Sequence, residues 1–140
     1  MSFDAIFLPT GTGTTHAGLL YGFADTPIYG VTVARSVERC KSEIKNLLCE
    51  MQKVDGRTVG NWDEKIHVLE NSGMQYGKQD ERLDVLRKEV AKSDGVFLDP
   101  IYNAKAFYGM KQFLEKNMSF QNVLYVNTGG SPNIFLHDIK

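Results

Sequence analysis

Cysteine, tryptophan and net charge are all scarce in this chain. Two cysteines occur in 140 residues, Cys40 and Cys49, too few for a disulfide scaffold and at a spacing that fits no metal-binding pattern. A reducing, cytoplasmic compartment is therefore the default expectation. Sixteen lysines and arginines nearly balance 17 acids, for a formal net charge of -1. That balance leaves no basic footprint, and nucleic acid is excluded as the expected partner. No apolar run approaches the roughly 20 residues that a bilayer-spanning helix needs. The opening Met-Ser-Phe-Asp-Ala lacks the basic start and apolar stretch of a secretory signal. Repeats, low-complexity tracts and linkers are absent as well. What is present is ordinary: 42% hydrophobic and 24% charged residues, enough to build one globular domain over residues 1–140.

Short apolar runs alternate with helical patterns, which predicts an α/β fold. The expected architecture is a three-layer α-β-α arrangement around a mostly parallel, Rossmann-like open sheet of about five strands. Ala5–Leu8 reads as the first strand, followed by the turn Pro9–Thr14 and a helix from about Thr15 to Phe23. Ile28–Val33 is the second strand. Ser36 is a credible cap for a long helix whose stripe is Val37, Cys40, Ile44, Leu47, Leu48 and Met51. Asp55–Asp63 reads as a loop, Ile66–Leu69 as a third strand and Asn71–Lys78 as irregular. Asp80 can cap a helix carrying Leu83, Leu86 and Val90. Gly95–Leu98 is the expected fourth strand, stopped by Asp99-Pro100 because proline cannot donate to a ladder. A helix from about Asn103 to Lys116 buries Phe107, Met110 and Leu114. Val123–Val126 is the last strand, and Asn127-Thr-Gly-Gly130 follows it.

The segment Thr10-Gly-Thr-Gly-Thr-Thr-His-Ala-Gly-Leu19 carries the strongest chemical signal. It joins a strand to a helix, where free backbone N–H groups and the helix dipole favour an anion. Gly11 and Gly13 permit a close approach of backbone to ligand, and Thr12, Thr14 and Thr15 add hydroxyls. It is neither a Walker loop, lacking Gly-Lys-[Ser/Thr], nor a Gly-x-Gly-x-x-Gly fingerprint. Spacing alone leaves open a plain connecting turn, a generic anion seat and a phosphate seat.

Three separated motifs together resemble one family. The glycine-rich turn is similar to its Thr-Gly-Ser-Gly-Gly-Thr-[His/Gln]-Ala-Gly phosphate loop. Gly95-Val-Phe-Leu-Asp-Pro-Ile-Tyr-Asn-Ala-Lys-Ala106 resembles its Asp-Pro-Val-Tyr-x-Gly-Lys segment, and Asn127-Thr-Gly-Gly-Ser-Pro132 its closing Gly-Gly turn. Gln75-Tyr-Gly77 is a weaker fourth match. In that order and spacing the chain resembles the C-terminal portion of the D-cysteine desulfhydrase and 1-aminocyclopropane-1-carboxylate deaminase family. These are fold type II pyridoxal-phosphate enzymes, similar to the tryptophan-synthase β-subunit.

The resemblance implies that Thr12, Gly13, Thr14 and Thr15 hold the phosphate of pyridoxal 5'-phosphate. It implies Tyr102 beside the cofactor ring and Tyr76 near an amino-acid substrate, where a phenol can transfer a proton or bind a carboxylate. Both tyrosines also read as amphipathic packing at strand ends. Asn103 falls where the ring nitrogen would face the protein; Glu or Thr is expected there, and a neutral amide can only hydrogen-bond. Asp99 reads as a site residue or, more simply, as the end of a strand. Lys105 is a poor candidate for the Schiff-base lysine, since the family's lysine belongs to a different, N-terminal motif. No stretch of the chain matches that motif. His16 should pack or hydrogen-bond within the first turn of its helix, while His67 and His137 have no constellation around them, so metal is not expected. The implied function is a partial amino-acid lyase or deaminase, inactive alone or complemented by a separately encoded N-terminal half. The alternative is a non-catalytic module for phosphate or a phosphorylated small molecule. A face left bare by the missing half implies a homodimer.

Overall fold

The computed structural model describes residues 2–134 apart from 24, 58–60, 72, 75–77 and 79. The elements run β1 (Ala5–Thr10), α1 (Thr14–Gly22), β2 (Ile28–Thr32), α2 (Val37–Asp55), α3 (Trp62–Lys65), β3 (His67–Leu69), α4 (Glu81–Asp94), α5 (Asn103–Lys116) and β4 (Val123–Tyr125). Among the described residues one four-stranded sheet forms, in the order β3-β2-β1-β4, and all of its pairings are parallel.

β1 is the central strand, and its sequence explains why. A strand covered on both faces needs an unbroken apolar run rather than an alternating one, and Ala5, Ile6, Phe7 and Leu8 are all buried. Ile6 and Leu8 point into a core shared with Ala17 and Leu20 of α1 and Ile44 and Leu48 of α2. Ala5 and Phe7 point the other way, against Met110 and Phe113 of α5. A third core joins Leu83, Leu86 and Val90 of α4 to Ala104 and Phe107 of α5. The helices thus lie on both faces of the sheet, and each fully buried Leu, Ile or Phe contributes about 1.5–3 kcal/mol.

Pro9 lies inside β1, which runs two residues beyond the expected end of the strand at Leu8. The N–H of Ile6 bonds the Pro27 carbonyl at 2.9 Å, and the Thr10 carbonyl accepts from Val33 at 3.3 Å, so even positions serve β2. Odd positions serve β4, whose pairing with β1 ends at Phe7. The N–H that Pro9 lacks would point past that ladder, and nothing is lost there.

The expected strand at Gly95–Leu98 does not form, which leaves four strands rather than about five. Gly95 closes α4 in a left-handed conformation at φ 68. The Leu98 carbonyl accepts from Nε of Arg87 at 2.9 Å, and Pro100 offers no donor. A segment with its carbonyl taken by a side chain has little left for a ladder. The expected loop Asp55–Asp63 is also partly helical at its end: Asn61 accepts from the N–H of Asp63 at 3.1 Å to start α3, which buries Trp62. Residues 71, 73, 74 and 78 are irregular as expected. No helix among the described residues is long and apolar enough to cross a membrane.

Candidate functional site

The loops after β1, β2 and β4 and the start of α5 surround one cleft of about 420 Å³, within the usual range for small-molecule pockets of about 300–1,000 Å³. Its position follows from topology. The chain leaves β1 for β2 on one side and later returns to place β4 on the other, so β1 is where the strand order reverses. Ligands of open α/β sheets collect at the carboxyl ends of the strands at such a point.

The glycine-rich turn forms one wall. Gly13 stands at the N-cap of α1 with φ 88, and no side chain caps the helix. This sets α1 apart. Ser36 Oγ caps α2 from the N–H of Arg39, Asn61 caps α3, and Asp80 caps α4 from the N–H of Arg82 at 3.0 Å. At α5 the Asp99 carboxylate accepts from the N–H groups of Ile101, Tyr102 and Asn103 at 3.0, 2.8 and 2.9 Å. The first N–H groups of any helix have no carbonyl partner within it. Among the described residues, the cap residues of α2, α3 and α4 each satisfy one of these N–H groups and Asp99 takes that of Asn103 in α5, whereas α1 has no side-chain cap and its first turn opens onto the cleft. Thr12, Gly13, Thr14 and Thr15 all line it, and the Thr12 and Thr14 hydroxyls lie 3.2 Å apart. A helix macrodipole and clustered hydroxyls at one point suit an anion with several oxygens.

Beneath this wall two buried groups hold the turn. The Thr10 hydroxyl lies 3.2 Å from Nδ1 of His16, and the Cys40 thiol reaches the Gly11 carbonyl at 4.0 Å. Burial pushes His16 down to about 4 and the Cys40 thiol up, so both are neutral supports. His16 is thus buried and bonded to Thr10, a residue that precedes its helix. A Cβ on Gly30 would fall 2.1 Å from Thr10 Oγ1 and 2.4 Å from His16 Nδ1; only glycine lets β2 pass this pair.

The opposite wall is Tyr102, Thr128, Gly129 and Gly130. Asp99 ties it together: besides capping α5 it accepts from Nδ2 of Asn103 at 2.7 Å. The same amide donates to the Gly129 carbonyl at 2.6 Å. Oδ1 of Asn103 lies 3.3 Å from the Thr128 N–H and 3.2 Å from the Tyr125 hydroxyl. Gly130 has φ 84, and a Cβ there would come within 2.9 Å of Asp99. Burial, then the Asp99 charge, pushes the Tyr125 phenol up, so it stays protonated and able to donate.

Of the residues the sequence singles out, Thr12, Gly13, Thr14, Thr15 and Tyr102 meet at the cleft. Asn103 does not line it; it is fully buried, with both amide hydrogens donated. Asp99 is likewise a buried structural cap. Lys105 is buried away from the cleft, its pKa lowered by that burial. His67 stacks on Tyr29 at 4.9 Å. Tyr76 and His137 lie outside the described residues. Sequence reasoning missed Arg35 and Thr128–Gly130 as lining residues. The motif beginning at Asn127 and the end of β2 were the available signals, without a fold to bring them to β1.

No family model matches the chain. Over 136 residues it is 33% identical to a putative 1-aminocyclopropane-1-carboxylate deaminase of Pyrococcus abyssi, spanning 94% of this chain and 41% of that protein. A D-cysteine desulfhydrase of Yersinia enterocolitica is 28% identical over 148 residues, spanning 98% of this chain and 43% of the relative. A crystal structure of an ACC deaminase homologue superimposes with a TM-score of 0.86 at 30% identity, over 97% of this chain and 42% of that one. The chain is homologous to part of the ACC deaminase and D-cysteine desulfhydrase family. It spans about two-fifths of the length of these relatives.

Proposed function

We propose that the cleft seats the phosphate of pyridoxal 5'-phosphate and that the chain is the phosphate-binding part of an amino-acid lyase or deaminase. The observation that carries this reading is the N-terminus of α1, which has no side-chain cap and opens with its threonines onto the cleft. The residues present fit the group: amides and hydroxyls that donate, no carboxylate in the lining, and room for a ring beside the phosphate. Thr12, Gly13, Thr14 and Thr15 hold the phosphate, and the α1 dipole favours its charge. Tyr102 lies at the far wall, where its ring can flank the cofactor. Asn103 acts indirectly, bracing the Gly129 loop by donating to the Gly129 carbonyl and accepting from the Thr128 N–H rather than meeting the ring nitrogen. When bound, the cofactor supplies an electron sink for a substrate amino acid. Tyr76 remains assigned to the substrate side by resemblance.

No lysine lines the cleft among the described residues. Elimination or deamination of an amino acid therefore calls for a lysine from another part of the fold, which a separately encoded half or a second copy could provide. The same fact favours a second reading, a module that binds phosphate or a phosphorylated small molecule without chemistry. The two free cysteines suit work in the reducing cytoplasm.

Titration with pyridoxal phosphate, followed by absorbance and by competition with inorganic phosphate, tests the proposal. Saturable binding that phosphate displaces is expected, with no borohydride-reducible adduct on a lysine. Binding that ignores phosphate, or a covalent adduct at Lys105, would contradict it.

A further inference from the structure

Every group lining the cleft is neutral except Arg35. The phosphate cradle consists of amides and threonine hydroxyls, and His16 is held uncharged by burial. A phosphate monoester carries nearly two negative charges at neutral pH, and a helix terminus supplies only about half a unit of opposite sign. The cradle therefore lacks most of the compensating charge its ligand needs. Arg35 stands in the loop directly after β2, whose carboxyl end lies beside that of β1 in the parallel pair. Its guanidinium rests on α2, with Nη1 3.7 Å from Oε1 of Glu43 and its side chain 31% exposed. That is a loose, solvent-screened pair, the kind that contributes little and exchanges partners easily.

Taking the cleft as a phosphate seat, we propose that Arg35 is its counter-charge, held in reserve by Glu43 and delivered to the phosphate when the anion arrives. The planar guanidinium suits this task, because it can bond two phosphate oxygens side by side. Glu43 keeps the free cleft from presenting a naked cation, and it competes weakly with the ligand. The ligand class follows: dianionic phosphate monoesters bind well, and singly charged anions bind poorly.

Calorimetric titration of the whole chain with inorganic phosphate and with pyridoxal phosphate tests this, comparing the unaltered protein with Arg35→Gln, Arg35→Lys and Glu43→Gln. Loss of a charge-assisted hydrogen bond predicts roughly tenfold weaker binding for Arg35→Gln. Arg35→Lys should recover part of that loss, since it keeps the charge and gives up the fork. Glu43→Gln should bind about two- to fivefold more tightly. The affinity of the unaltered chain should also fall more steeply with added salt than that of Arg35→Gln. If the unaltered chain binds and Arg35→Gln binds within twofold of it, the role of Arg35 is overturned and the seat stands. If the unaltered chain binds neither anion, the seat itself is wrong and this inference falls with it. Should Arg35→Gln fail to fold, unchanged affinity in both Arg35→Lys and Glu43→Gln overturns the proposal.

Discussion

His16 shows how one side chain sets the turn above it. It is buried against Thr10 and under Gly30, and burial depresses its pKa from 6.5 to about 4, with the charge of His67 adding a little. The folded chain therefore refuses a proton that the unfolded chain accepts. Above pH 6.5 neither state binds it and its contribution to stability is complete; between pH 6.5 and about 4 only the unfolded state binds it. Stability should fall through that window by up to ~1.4 kcal/mol per pH unit from this group. Urea unfolding from pH 7.5 to 4.5 measures it. His16→Gln should flatten the slope across the window, whereas an unchanged slope would mean that other groups carry the acid sensitivity.

Gly13 is where residue chemistry becomes a property of the helix. Its φ of 88 starts α1, and a Cβ there would meet Ile44 Cγ1 of α2 at 2.8 Å. Gly13→Ala should therefore cost about 1–3 kcal/mol from the left-handed backbone and the overpacked contact together. It should also tilt the first turn of α1 and weaken phosphate binding by tenfold or more. Chemical denaturation and calorimetry on the same sample separate the two effects. Native phosphate affinity in a destabilised Gly13→Ala would show that the turn tolerates redirection and is not the seat.

Elements were legible in the sequence wherever their signals were local. Ser36 and Asp80 announce α2 and α4, because a cap acts within three residues. α5 matches its expected span of Asn103–Lys116, since its apolar stripe is self-contained. The strand expected at Gly95–Leu98 was not decided locally: its pattern suits a ladder, but the Arg87 side chain takes the Leu98 carbonyl. β1 runs on through Pro9 because its β4 neighbour stops at Phe7, which no reading of β1 alone could tell. The site divides the same way. Thr12 to Thr15 are contiguous and readable from the glycines, whereas Arg35 and Thr128–Gly130 reach the cleft only through strand order. Tyr102 came from resemblance, and the bracing role of Asn103 required the packed structure.

At the scale of the molecule, two large apolar side chains stand out just after α4. Val96 is 42% exposed and Phe97 64% exposed, in the stretch that forms no ladder. We expect this stretch to pair with a second copy of the chain. Light scattering across a concentration series should give a dimer that Phe97→Asp converts to monomer; a monomer at all concentrations would argue against self-association.

In the proposed reading the bare N-terminus of α1 receives a phosphate. Nitrogen-15 correlation spectra recorded while inorganic phosphate is added test it most directly, because they report on single amides. Saturable shifts concentrated at the Gly11 to Thr15 amides are expected, the signature of N–H groups donating to an anion. Unmoved amides in that turn, or saturable shifts confined to some other part of the chain, would contradict it.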